Sequence, residues 1–334
     1  MQADLVLEGG GVKGIALAGA VSVLEERGYE FARIAGTSAG AIVGALLAAR
    51  VPGKELADII KDGMDYRRFR DPTLLSRFGP VGMAASLVRS KGVYAGDYLR
   101  LWLGEHLSPR GVHTFADLRR DDRGSALPRD RDYRLVVVAS DISRGRLALL
   151  PWDCRDPYGQ EPDEMEVAEA VRASMAIPFY FSPLRYPRGA ADQSWLVDGG
   201  MLSNFPVWVF DRDDGKTPRW PTFGIKLSSR AESVRPYRKV RTLAGMGHAM
   251  ISTMVGAHDR MHIDRDDVAA RTIFVDTFGI SPIAFDIGPQ DQQRLFDSGR
   301  AAAEKFLDGE PGKPGWDFGV YVERFPGDHR PPES

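Results

Sequence analysis

The sequence predicts an α/β fold built on a largely parallel sheet, and three observations carry that reading. Short apolar runs alternate with small-residue helical stretches near the N-terminus, the order that lays helices against a parallel sheet. The first two runs each end in a glycine-framed turn, Gly9-Gly10-Gly11-Val12-Lys13-Gly14 and Gly36-Thr37-Ser38-Ala39-Gly40. Farther along, Leu135-Val136-Val137-Val138 is unbroken, as expected of a central strand covered on both faces.

Leu5-Val6-Leu7 reads as a buried strand entering the first turn. From Ile15 to Arg27, Leu17, Ala20, Val21 and Leu24 recur at helical spacing, and Gly28 stops the helix. Phe31 to Ala35 is a second strand, followed by a helix from Ala39 to about Ala49 that Pro52 and Gly53 end. Tyr133 to Ser140 is the central strand; Leu196-Val197, Phe223 to Leu227 and Thr272 to Val275 are further strands. Residues 63–96 differ. Arg67, Arg68, Arg70 and Arg77 sit there among prolines, glycines and scattered Leu, Phe and Met, a mixture that suits an irregular cap-like insertion. Residues 119–134, dense in Arg and Asp, read as a solvated loop. One domain over 1–310 with that insertion is expected, and 311–334, rich in Pro and Gly, is expected to be a flexible tail.

Bulk composition narrows the function classes. A net charge of −2 over 334 residues gives no electrostatic argument for nucleic acid, so no such partner is expected. Cys154 is the single cysteine, which excludes an intrachain disulfide and suits a reducing compartment. The first residues lack the basic and apolar regions of a secretory signal, and no apolar run approaches the length of a spanning helix. A cytoplasmic location is the expectation, with export by another route left open.

The two turns suggest acyl-transfer chemistry. Gly36-Thr37-Ser38-Ala39-Gly40 fits a nucleophile elbow, in which small neighbours let strand and helix approach while a serine is held up on the turn. The glycine loop, through the N–H groups of Gly10 and Gly11 with help from Ala39, fits an oxyanion hole. Lys13 either adds positive charge there or is an ordinary solvated lysine. The same loop fits a dinucleotide fingerprint, but that reading wants an acid after the second strand, and Glu30 precedes it. Asp198-Gly199-Gly200 follows Leu196-Val197, which puts a carboxylate at a strand end; it is either a base or a turn-stabilising aspartate.

These three blocks, together with Ala173-Ser174-Met175-Ala176-Ile177-Pro178-Phe179-Tyr180-Phe181-Ser182-Pro183 and Asn204-Phe205-Pro206, closely resemble the signature segments of the patatin-like phospholipase family. The resemblance spans residues 4–308, with its specificity in the four blocks. It implies a three-layer patatin-like fold, a mostly parallel sheet flanked by helices. It also implies a dyad of Ser38 as nucleophile and Asp198 as proton acceptor, and an oxyanion loop at Gly9, Gly10 and Gly11. The substrate class it implies is phospholipid or another acyl-ester lipid, with no metal or cofactor and with peripheral membrane contact; any activator or partner protein is left unidentified. The competing triad would take its histidine from His248, His258 or His262, since His329 lies in the expected tail. His258 and His262, four apart among Asp259, Arg260 and Asp264, read as an exposed helical face. Arg230, Arg235, Arg238, Lys239 and Arg241 form either a patch for anionic headgroups or a solvated loop. Leu74, Leu75, Phe78, Met83 and Leu87 in the cap either contact acyl chains or pack down on the sheet. The alternative to an enzyme is a non-catalytic or activator-dependent protein that binds an anionic ligand or lipid on the same fold.

Overall fold

The computed structural model describes residues 1–61, 63–227 and 265–326. The chain opens with β1 (Gln2–Leu7), turns through a 3-10 segment at Gly11–Lys13 and enters α1 (Gly14–Glu26). β2 (Glu30–Thr37), α2 (Ala39–Ala48) and α3 (Gly53–Lys61) follow. The cap region supplies α4 (Gly79–Ser90) and β3 (Gly92–Tyr94) and leads into α5 (Asp97–Leu107). Next come β4 (Leu135–Asp141), β5 (Arg146–Leu150) and α6 (Val167–Ser174), then β6 (Phe179–Phe181), β7 (Leu184–Tyr186) and β8 (Ser194–Asp198). β9 (Thr222–Lys226), α7 (Asp266–Ala270), β10 (Thr272–Phe274), α8 (Pro289–Asp308) and α9 (Phe318–Arg324) close the described chain.

The main sheet runs in the order β10-β9-β1-β2-β4-β8-β7. Its first five strands are parallel; β8 pairs antiparallel with β4, and β7 antiparallel with β8. Every residue of β4 is buried, as its unbroken apolar run requires. Its two edges are used differently. β5 lies antiparallel along one, from Val137 to Asp141. The other edge is shared: β2 occupies it up to Thr37, opposite Val138, and β8 takes over with Asp198 opposite Ala139. β2 and β8 run in opposite senses, so their C-terminal ends meet head to head over β4.

The helices nearest the core are built from small residues. Gly14 to Leu24 of α1 are all buried, and α2 is buried throughout. A helix that is apolar all round belongs inside, against more than one layer. The fit against α8 is tight: a Cβ at Gly19 would lie 2.1 Å from the Phe296 carbonyl oxygen, and one at Gly299 2.0 Å from that of Ala16. The expectation of a mostly parallel sheet flanked by helices is what the structure shows.

Two expectations need correction. The region 63–96 is more regular than a loop insertion, because α4 forms over twelve residues and β3 pairs in parallel with β6 in a small sheet of its own. Thr73 and the C-terminal turn brace it: Ser86 Oγ lies 2.6 Å from Thr73 Oγ1 and donates to the Gly92 carbonyl at 2.8 Å. Leu74 and Phe78 do not pack on the sheet; they are 75% and 74% exposed. The expected tail is also ordered in its first part. Residues 309–310 pair with 313–314, and Trp316 packs edge-on against Phe223 at 4.7 Å and stacks on Phe306, ahead of α9. Aromatic anchors outweigh the Pro and Gly around them, since each buries a large apolar area.

Candidate active site

Ser38 stands between β2 and α2 with φ 54° and ψ −121°, a conformation that side-chain-bearing residues rarely adopt. The neighbouring glycines permit it. A Cβ at Gly36 would sit 2.2 Å from the Gly40 carbonyl oxygen, and one at Gly40 2.3 Å from that of Leu7, so strand and helix touch backbone to backbone. The Ser38 N–H donates to Ser174 Oγ at 2.8 Å, and that hydroxyl donates onward to the Val138 carbonyl at 2.6 Å. The Ser38 hydroxyl is buried and lies 3.2 Å from Met175 Sδ. Ser174 and Met175 end α6, whose Arg172 holds the cap in place by donating to the carbonyls of Ala95 and Ser182 at 2.6 and 2.7 Å.

Asp198 reaches the same point from the opposite strand end. Its carboxylate is buried and accepts the Gly200 N–H at 2.8 Å. Burial pushes its carboxyl up to about 6 from 3.8, while the bonds from Gly200 and from the Ser38 hydroxyl pull it partly back. Serine and aspartate, distant in sequence, are thus close enough for the hydroxyl to favour the ionised carboxylate, while the hydroxyl's own hydrogen-bond partner is Met175 Sδ. The Gly199 turn makes this approach tight: a Cβ there would meet the Val138 carbonyl oxygen at 2.3 Å and Thr37 Cγ2 at 3.0 Å.

The glycine loop lies over the serine. A Cβ on Gly9 would come 3.0 Å from Ser38 Cβ, and Asn204 clamps Gly9 by accepting its N–H at 3.4 Å and donating to its carbonyl at 3.1 Å. Of the four expected oxyanion donors, Gly9 is therefore already engaged. Among the described residues, the N–H groups of Gly10, Gly11 and Ala39 have no hydrogen-bond acceptor. Gly11 has φ +57° and runs against the Pro282 carbonyl, which accepts the next N–H, from Val12, at 3.1 Å. Lys13 is half-buried at the N-cap of α1.

Sequence reasoning did not single out Glu8 and Lys226. Both are buried and ion-paired to each other, and Glu8 also accepts the Leu227 N–H. The pair ties the end of β1, where the glycine loop begins, to the end of β9. A charged residue at the end of an apolar strand, matched by a lysine ending another, was the available signal. Beside Ala39 and Gly11 opens a narrow apolar pocket lined also by Ile42, Met64, Phe69, Met175 and Phe285. Phe69 comes from the cap and stacks on Phe285 at 5.7 Å.

The histidines proposed for a triad, His248, His258 and His262, lie outside the described residues, as do His329 and the basic stretch 229–241. The described histidines are bonded elsewhere: His106 Nδ1 to the Trp102 carbonyl at 2.8 Å, and His113 Nδ1 to Ser108 Oγ at 3.5 Å. Among the described residues, no cluster of His, Cys, Asp and Glu could hold a metal, and no helix is long and apolar enough to cross a membrane.

A family model for patatin-like phospholipases matches residues 5–211, a span holding both glycine turns, Ser38 and Asp198. The chain belongs to the patatin-like phospholipase family. It is 36% identical over 309 residues to the uncharacterized protein YqhO of Bacillus subtilis, covering 92% of this chain and 98% of that one. It is 28% identical over 205 residues to an uncharacterized NTE family protein of Mycobacterium bovis, covering 61% of this chain and 44% of the relative, so it spans less than half of that protein. Among solved structures it is similar to VipD from Legionella pneumophila, with a TM-score of 0.52 at 18% identity over 92% of this chain and 66% of that one. The likeness to VipD is one of fold. Family membership places the chain among lipid hydrolases at the level of the family.

Proposed function

We propose that the protein hydrolyses carboxylic esters of lipids through an acyl-serine intermediate, with Ser38 as nucleophile and Asp198 as proton acceptor. The observation that carries this reading is the head-to-head meeting of β2 and β8, which sets a strained serine against a buried carboxylate beside an apolar pocket. Ser38 Oγ attacks the ester carbonyl carbon as its proton passes to Asp198. The carbonyl oxygen takes up negative charge facing the N–H groups of Gly10, Gly11 and Ala39, the last of these at the positive end of α2. Collapse breaks the bond to the leaving alcohol, which takes the proton back from Asp198. Water, deprotonated by the same carboxylate, then attacks the acyl-serine, and the fatty acid leaves as Ser38 recovers its proton.

An ordinary aspartate is a weak base for a serine hydroxyl. Burial makes Asp198 a better one, and preorganised donors at the oxyanion lower the energy of the charge-separated state. The pocket supports a lipid acyl chain rather than a polar acyl group, because Ile42, Met64, Phe69 and Phe285 offer it no hydrogen bonds.

A fluorophosphonate probe tests the assignment. The wild-type protein is expected to be labelled covalently, and Ser38→Ala to lose all labelling and all ester hydrolysis while remaining folded. Asp198→Asn is expected to lower kcat by at least about a hundredfold, as loss of a general base does. Labelling that survives Ser38→Ala would refute the nucleophile; a folded wild type that neither labels nor hydrolyses esters would favour a binding protein.

A further inference from the structure

We propose that α4 is a docking element that seats the protein on an anionic phospholipid surface. The helix carries its apolar side outward. Pro80, Val81, Ala84, Leu87 and Val88 fall at steps of one, three and four residues and so share a face. All are exposed, Val81 by 82% and Val88 by 74%. The residues α4 buries, Gly82 and Ser86, lie on the opposite face. Just before the helix, Leu74 and Phe78 extend the exposed apolar surface. Grouped rather than scattered, such residues mark a surface that is covered in use.

Charge selects the occupant. No acid occurs between Asp71 and Asp97, while Arg77, Arg89 and Lys91 stand exposed at the two ends of α4. A bilayer leaflet with anionic lipids offers phosphates at the level of those cations and acyl chains at the level of the valines. A second copy of this chain paired face to face would set the same three cations against themselves with no acid to relieve them. The outward side chains are short and the face is a convex helix, which suits a fluid surface that closes around them. Docking there also orients the site: β3, directly after α4, pairs with β6, and β6 follows Met175 beside Ser38. That last consequence rests on the acyl-hydrolase reading; docking itself does not.

Vesicle flotation of the full chain tests the proposal, using equal parts phosphatidylglycerol and phosphatidylcholine against phosphatidylcholine alone, at low salt. The wild type is expected to float with the anionic vesicles, and Val81→Asp/Val88→Asp to bind them at least about tenfold more weakly. Arg77→Glu/Lys91→Glu is expected to weaken anionic binding comparably, and added salt to weaken that of the wild type. Both variants should keep the wild-type circular dichroism spectrum and hydrolyse a water-soluble short-chain ester at the wild-type rate. A wild type that stays unbound, or a Val81→Asp/Val88→Asp protein that floats equally well, overturns the proposal. So does a wild-type dimer that this variant splits without any vesicle binding, which would give the face to a second copy. If the wild type floats but hydrolyses no ester, docking stands and the hydrolase reading falls.

Discussion

Ser38 concentrates two demands that oppose each other. Its backbone, at φ 54° and ψ −121°, is held where a side chain costs of order 1–3 kcal/mol, and the return is a hydroxyl presented at the turn. Ser38→Gly should therefore unfold at a higher urea midpoint than Ser38→Ala, by about 1 kcal/mol, although neither can form an acyl-enzyme. An equal or lower midpoint for the glycine variant would remove strain from the account. Asp198 makes a second prediction, about pH. Burial lifts its folded carboxyl to about 6 from 3.8, so between those values the folded protein holds a proton that the unfolded chain releases. The stability this group contributes is complete below the unfolded value and is lost as pH rises through the folded one. Asp198→Asn should then be more stable than wild type near neutral pH, by on the order of 2 kcal/mol, and the gap should close in acid. Thermal melts across pH check this. Because the base must be ionised, kcat/KM should rise as pH passes about 6; a profile flat through that range would mean another group accepts the proton.

At the scale of elements, glycines set how closely backbones approach, and two of them predict opposite outcomes. Gly40→Ala would drive a Cβ to 2.3 Å from the Leu7 carbonyl oxygen and should destabilise by about 1–3 kcal/mol as α2 is pushed off β1. Gly104→Ala, in α5 with nothing near its Cβ, should stabilise by about 0.5–1 kcal/mol. Denaturant midpoints of the pair decide the point, and a neutral Gly40→Ala would show that the helix can shift without cost. The strand and helix runs around the first two turns were legible because their periods are clean and glycine or proline ends each one. α4 was not. Its apolar residues face outward, and a pattern normally read as buried cannot announce that it faces solvent. β3 and β6 were missed because three-residue strands leave too little alternation to read.

At the scale of the molecule, the parallel sheet, the elbow and the carboxylate at a strand end could be read from letters, since each follows from local chemistry. Their meeting could not. It depends on β8 entering antiparallel on the edge of β4 that β2 vacates, a matter of strand order that no local pattern states. The resemblance to a family bridged that gap by analogy, while the register supplies the physical reason. The Glu8–Lys226 pair was hidden for the same cause, each partner being an ordinary charge until β1 and β9 lie side by side.

That pair also marks where the protein can be cut. The family match ends at 211, yet β9 and Lys226 lie beyond it. A chain trimmed at that boundary would keep serine, aspartate and glycine loop but lose β9, and with it both the cation and the N–H that hold Glu8 at the loop's start.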